Sequence, residues 1–186
     1  DCYGEETINL FEILDRGQYV LIDFYFYSCS PCQQAVPHVI EAYEAFGCNQ
    51  HDVFFMEITP FDSDELAQWW AENYEVPYPT ISRDGGGFEI DEMYQVPQYP
   101  TLVLIAPNRE ILLGDIYPVE SAQTIIDALK AFGIEEHSCD ETPEANPSVE
   151  ITLGEVTTTT IEATFTPHDD CASYHLLADV HSNMEM

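Results

Sequence analysis

Cys29-Ser30-Pro31-Cys32 sits between an apolar run, Tyr19-Val-Leu-Ile-Asp-Phe-Tyr-Phe26, and a stretch with apolar residues at helical spacing: Ala35, Val36, Val39, Ile40, Tyr43 and Phe46. That order predicts a strand over 19–26 turning directly into a helix over 29–46. It places Cys29 at the helix N-terminus, where unpaired backbone N–H groups and the helix dipole favour a thiolate. Two thiols two residues apart can exchange between dithiol and disulfide, so the expected chemistry is redox. The other use of such a pair is half of a zinc site, but no second Cys or His pair stands at ligand spacing, and no metal or cofactor is expected.

The rest of the chain is read around that unit. Residues 7–16 predict a short amphipathic helix ended by Gly17, and 53–58 a second buried strand stopped by Pro60. Asp62 or Ser63 is placed to cap a helix carrying Leu66, Ala67, Trp69, Trp70 and Tyr74. A short strand within 79–82, a Gly85-Gly86-Gly87 loop and a short helix over 88–94 follow. Residues 101–105 predict a strand, 111–116 its antiparallel partner across a turn at 107–110, and 121–132 a closing helix with Gly133 as its stop signal. Beyond Cys139 the character changes. Residues 140–148 are acidic and carry two prolines, an expected linker. Residues 149–186 are rich in β-branched residues and predict the start of an all-β module, with strands near 149–153, 157–165 and 171–180. Under forty residues cannot complete a seven-strand sandwich of roughly 100 residues, so this module is expected to be incomplete.

Charge narrows the partners. The 186 residues carry 35 acidic against 4 basic side chains, a formal net charge of -31. Such a surface repels phosphate backbones and anionic lipid, which argues against nucleic-acid and membrane-surface binding, and no stretch is long and apolar enough to span a bilayer. Six cysteines favour an oxidising compartment, so the chain is read as a secreted, periplasmic or cell-surface protein whose signal peptide has been removed. Outside the Cys29–Cys32 pair, Cys2, Cys48, Cys139 and Cys171 allow three pairings, and spacing does not choose among them.

Four positions carry a resemblance to the thioredoxin superfamily over residues 7–135. Asp23 lies mid-strand six residues before Cys29, Pro37 eight residues after it, and Tyr99-Pro100-Thr101 opens a strand where that family keeps a cis-proline element. The final hairpin and helix have the right order. The inserted segment 62–94, the acidic chain and the trailing β module are similar to secreted, TlpA-like members found in Bacteroidota. The resemblance implies an α/β fold, a central mixed sheet flanked by helices; the trailing segment is read from its own residues as a partial, immunoglobulin- or fibronectin-like β module. The domains expected are 1–139, the linker 140–148 and the module 149–186.

The resemblance also implies roles. Cys29, nearer solvent, is the attacking thiolate, and Cys32 resolves the mixed disulfide. Pro31 stiffens the first helical turn at little cost. Asp23, a lone carboxylate in an apolar strand, exchanges a proton with Cys32 from a raised pKa. Tyr99, Pro100 and Thr101, with Ser30 and Pro31, form the ledge for an extended substrate peptide. In this fold the helix after Cys29 and the last helix run the same way on one sheet face, so Cys48 and Cys139, which follow their ends, are the preferred structural disulfide. Cys2 and Cys171 are left to pair with each other, with residues elsewhere, or not at all.

The leading expectation is a thiol–disulfide oxidoreductase acting on protein thiols and disulfides. Ser30-Pro31 carries no positive charge to depress the Cys29 pKa strongly, which favours a reductant or isomerase over a strong oxidant. A non-catalytic thioredoxin-fold module of a larger surface protein is the alternative. A thiol peroxidase ranks below both, because Tyr27-Ser28 stands where that motif requires a Thr two residues before its cysteine. Adjacent on a helix, Trp69 and Trp70 cannot both face the core squarely; core packing is the expected use, with a wall of a substrate groove as the alternative. His38 is read as a surface residue, His168, His175 and His181 fit no ligand spacing, Gly85–Gly87 lacks the partners of a phosphate cradle, and Asp62, Asp64 and Glu65 read as a helix N-terminus.

Overall fold

The computed structural model describes residues 1–4, 7–141, 149–156 and 161–167, the last two segments by backbone alone. The chain divides into two compact units, 1–142 and 143–186.

The first unit is built on a five-stranded mixed sheet of order β3-β2-β1-β4-β5. Strands β1 (Tyr19–Phe24), β2 (Val53–Ile58) and β3 (Thr80–Ile81) run parallel, while β4 (Thr101–Ile105) pairs antiparallel with β1, and β5 (Ile111–Leu113) antiparallel with β4. A parallel β1–β2 pair needs a crossover, and α2 (Ser30–Ala45) supplies it. Both faces of the sheet are covered, which is why β1, β2 and β4 read as nearly continuous apolar runs. On one face Leu21, Phe55, Leu102 and Leu104 pack against Val39, Ala42 and Phe46 of the α2 region and Ile125 and Leu129 of α5 (Ala122–Lys130). On the other, Val20, Ile22, Phe24, Met56 and Val103 meet Ile13 and Leu14 of α1 (Leu10–Asp15) and Ile90 and Tyr94 of α4 (Phe88–Tyr94).

Element ends differ from the sequence reading for identifiable reasons. The first helix begins at Leu10 rather than residue 7 because Asn9 accepts the Phe11 and Glu12 N–H groups through its side chain. Strand β1 stops at Phe24, two residues early, as the chain bends toward Cys29, although the Tyr25 N–H still reaches the Ile58 carbonyl at 3.0 Å. Helix α3 (Asp64–Tyr74) has Ser63 at its cap without a side-chain bond, and Asp62 is turned inward instead. The three glycines form a tight turn closed by the Ser82 hydroxyl accepting the Gly85 N–H, with Gly86 at φ +100°. Strand β5 covers only 111–113 of the expected 111–116, and α5 spans 122–130 rather than 121–132.

Among the described residues of the second unit, β6 (Val149–Val156) and β7 (Ile161–Pro167) pair antiparallel, in a register that sets Ile151 opposite Phe165 and Leu153 opposite Ala163. The expected strand at 171–180, with Cys171, His168, His175 and His181, lies outside the described residues. No helix among the described residues is long and apolar enough to cross a membrane.

Candidate active site

The bend after β1 delivers Cys29 to the N-cap of α2 in an extended conformation (φ -79°, ψ 103°). Its sulfur accepts the Cys32 N–H at 3.1 Å, so the cysteine does for this helix what a serine cap does elsewhere. Ser30 and Pro31 are the first two helical residues, exposed at the tip, and Pro31 occupies a position whose N–H has no partner within the helix. Cys29 and Cys32 form a disulfide with Cα atoms 5.2 Å apart. Pro37 lies inside α2, which continues past it to Ala45.

Both sulfurs are well covered. Cys29 is 3% exposed and Cys32 1%, so Cys29 is less open to solvent than its place at a helix tip suggests. The cover is aromatic. Phe26, Phe61 and Tyr99 pack edge to face with centroids 5.4–5.8 Å apart, and Phe26 and Tyr99 both pack against the cysteine cluster. The Tyr99–Pro100 peptide bond is cis, and the Cys29 sulfur lies 3.7 Å from the Tyr99 carbonyl oxygen. Pro100 and Thr101 are buried, Thr101 donating to the Gln98 carbonyl at 2.9 Å, and the Tyr99 hydroxyl donates to Asp91 at 2.6 Å. Tyr27, Phe61 and Trp69 stay substantially exposed, Trp69 meeting Tyr27 edge-on, while Trp70 is fully buried and stacks on Tyr25 at 4.6 Å.

Beneath α2, Asp23 shares a sheet face with Leu21 and Tyr25, and Tyr25 packs directly against the cysteine cluster. Its carboxyl is buried, its Oδ1 has no hydrogen-bond partner, and burial pushes its pKa up to about 7. The parallel ladder sets Glu57 beside it. Glu57 is raised to about 8, again mainly by burial and further by the charge of Asp23, against the opposing pull of its bonds from the Thr80 hydroxyl (2.7 Å) and the Trp70 indole N–H (3.3 Å). Two adjacent buried carboxyls cannot both ionise cheaply, so they titrate as a pair. Sequence reasoning missed Glu57, although the signal that marked Asp23, one carboxylate in an apolar strand, was present in Val-Phe-Phe-Met-Glu-Ile.

Asp62 is the second missed residue. Read as a helix cap, it instead accepts the Tyr27 N–H at 2.7 Å and the Thr59 hydroxyl at 2.6 Å, fixing the backbone two residues ahead of Cys29. Cys2 is buried, has no disulfide partner among the described residues, and burial lifts its thiol to about 11. Cys48 and Cys139 are joined by a disulfide, Cα atoms 5.2 Å apart. No group of three metal-ligating side chains forms around Cys29 among the described residues; His51, His137 and Glu141 form one beyond the opposite end of α2.

Residues 1–113 match the model of the AhpC/TSA family. The chain belongs to this family. Thiol-disulfide oxidoreductase ResA of Oceanobacillus iheyensis is 22% identical over 107 residues, which cover 58% of this chain and 53% of that protein. The chain thus spans about half the length of such curated relatives. A thiol:disulfide interchange protein from Bacteroides sp. superposes with a TM-score of 0.56 at 19% identity, over 68% of this chain and 79% of that one. A secreted disulfide oxidoreductase of Mycobacterium tuberculosis does so with a TM-score of 0.52 at 19% identity, over 62% and 82%. These likenesses establish the thioredoxin-like fold, and with the family match they place the chain in the thioredoxin superfamily, as its sequence resemblance implied.

Proposed function

We propose that this member of the AhpC/TSA family is a thiol–disulfide oxidoreductase exchanging disulfides with secreted or surface proteins through Cys29. The observation that carries the reading is the seat of the Cys29 sulfur. It caps α2, accepts the Cys32 N–H, and lies 3.7 Å from the Tyr99 carbonyl. That carbonyl and the exposed rings of Tyr27, Phe61 and Trp69 form a ledge suited to an extended, partly apolar peptide.

In the oxidising direction a substrate thiolate attacks the Cys29 sulfur, the Cys29–Cys32 bond breaks, and the electron pair leaves on Cys32. Asp23, protonated near neutrality by its burial, supplies the proton that turns the Cys32 thiolate into a thiol. A second substrate thiolate then attacks the substrate sulfur of the mixed disulfide and Cys29 leaves as thiolate. The substrate is oxidised by two electrons and the protein dithiol is formed. Run backwards, the same steps reduce a substrate disulfide, with Asp23 taking the proton from Cys32 as it attacks.

The Cys48–Cys139 disulfide supports an oxidising compartment, and the secreted M. tuberculosis neighbour accords with it. The second unit, read as the start of an immunoglobulin- or fibronectin-like module after the linker, accords with display within a larger surface protein.

The test is insulin reduction, with trapping by Cys32→Ser. Turnover lost in Cys29→Ser, together with a mixed disulfide accumulating on Cys29 in Cys32→Ser, is the expected result. Turnover that survives Cys29→Ser sinks the proposal. The near-complete burial of Cys29 favours a second reading, a permanent bridge in a binding module; a reduction potential well below that of cellular thiol buffers selects it.

A further inference from the structure

The end of α2 and the segment after α5 are brought together in an unusually fixed way. The Cys48–Cys139 disulfide joins them, the His137 N–H donates to the Ala45 carbonyl at 2.9 Å, and Phe46 and His137 form an isolated parallel bridge. The loop between α2 and β2 is held just as firmly. Asn49 exchanges two hydrogen bonds with the Phe55 backbone, at 2.6 and 3.0 Å, and the Gln18 amide donates to the Asn49 and His51 carbonyls. This scaffold sets His51, three residues after Cys48, against His137, two residues before Cys139. Their rings lie parallel, 5° between planes, with centroids 4.2 Å apart.

Carboxylates complete the cluster. Glu141 Oε2 is 3.2 Å from His137 Nδ1, Asp52 Oδ2 is 3.6 Å from His137 Nε2, and His51 Nε2 lies 3.2 Å from the Glu141 carbonyl. One ligand atom from each of His51, His137 and Glu141 can be chosen with all three within 4.8 Å of one another. Gly47, at φ +79°, is what lets the pair assemble, because a Cβ there would overlap the His51 ring and press on the His137 Cβ. The His137 side chain keeps 27% of its surface exposed and both carboxylates keep more than half, so an ion can reach them from solvent.

We infer that His51, His137 and Glu141 bind a zinc-class divalent cation, with Asp52, on the opposite edge of the His137 ring, as the acceptor that orients it. Two imidazoles and a carboxylate are a donor set for zinc and its neighbours rather than for calcium or magnesium, which take oxygen. Ligand atoms on a tetrahedral zinc ion stand roughly 3.4 Å apart, given zinc–ligand bonds of about 2.0–2.1 Å. Coordination therefore draws the cluster inward by about an ångström and swings one imidazole out of the stack. A formal charge of -31 concentrates cations around the chain. Helix α2, 16 residues long, separates this site from Cys29 by roughly 24 Å at 1.5 Å per residue, so it is distinct from the exchange centre.

The test is calorimetric titration of zinc into the chelator-treated, oxidised full chain at neutral pH and physiological salt. One equivalent is expected to bind, at least about 100-fold more weakly in His51→Ala and His137→Ala, and unchanged in His38→Ala. The Cys48→Ser/Cys139→Ser pair, which removes the clamp without adding thiols, is expected to weaken binding at least tenfold. In the wild type, zinc is expected to move the imidazole nitrogen resonances of two histidines to ligated values, a readout that does not depend on any variant folding. Absence of stoichiometric binding, an isotherm unchanged by replacing both histidines, or movement of other histidines overturns the inference.

Discussion

Replacing Asp23 by Asn is expected to remove a large part of the pH dependence of the first unit's stability. The native carboxyl holds its proton up to about pH 7, whereas an ordinary Asp, as in the unfolded chain, releases it near 3.8. Between those values the native state binds more protons than the unfolded one, so stability falls as pH rises through the window and levels off above it. From pH 5 to pH 7 the carboxyl accounts for about 3 kcal/mol, two pH units at about 1.36 kcal/mol each. Glu57, raised from 4.5 to about 8, adds to the fall in the same direction, and the neutral Asn relieves it of the neighbouring charge. The Asn amide is as buried as the acid it replaces, which contributes an offset that does not depend on pH. Urea unfolding followed by tryptophan fluorescence isolates this unit, because the chain's two tryptophans are Trp69 and Trp70. Measurements at pH 5 and pH 8 stay clear of the isoelectric point near 4.1, where association would intrude. The Asn variant is expected to gain about 3 kcal/mol on the wild type between the two pH values. A difference that stays constant to within about 0.5 kcal/mol, the usual reach of a surface change, refutes a protonated Asp23 near neutrality.

Three further outcomes follow from single contacts. Asp62→Ala leaves the Tyr27 N–H without its acceptor and is expected to cost about 1–3 kcal/mol, with faster hydrogen exchange at the Tyr27 amide as the local signature. Gly87→Ala drives a methyl group onto the Thr59 and Ser82 carbonyl oxygens and is expected to destabilise by about 1–3 kcal/mol in the same urea assay. Cys48→Ser/Cys139→Ser opens a covalent loop across a sequence separation of 91 and is expected to lower stability by about 2–4 kcal/mol while leaving the Cys29–Cys32 disulfide in place by thiol titration.

What the sequence revealed and what it hid divide along a physical line. The β1–bend–α2 unit was legible because its determinants are local, an apolar run followed by helical spacing with Cys29 between them. Adjacency on a helix likewise limited Trp69 and Trp70 to one core residue, and the fold chose Trp70. Glu57 carried the same local signal as Asp23, a carboxylate in an apolar strand; what was hidden is their pairing, which a parallel ladder makes across 34 residues. Asp62 was misjudged because a helix cap and a buried acceptor look alike in sequence; only the closeness of the Tyr27 backbone separates them. The burial of Cys29 depends on Tyr99, a neighbour through the fold alone, and the His51–His137 stack joins two helix ends with no shared local pattern.

The bridge between Cys48 and Cys139 also settles how this unit takes a mechanical load. Tension drawn along the chain from its N-terminal side to the second unit crosses from residue 48 to residue 139 through sulfur. The 90 residues between them, carrying β2, α3, β3, α4, β4, β5 and α5, hang outside the stretched path. The Tyr99–Pro100–Thr101 element lies inside that protected loop, whereas β1 and α2, with Cys29 and Cys32, lie on the loaded side. Load therefore acts directly on β1 and α2, and reaches the Tyr99–Pro100–Thr101 segment through the backbone only once the Cys48–Cys139 bond is reduced.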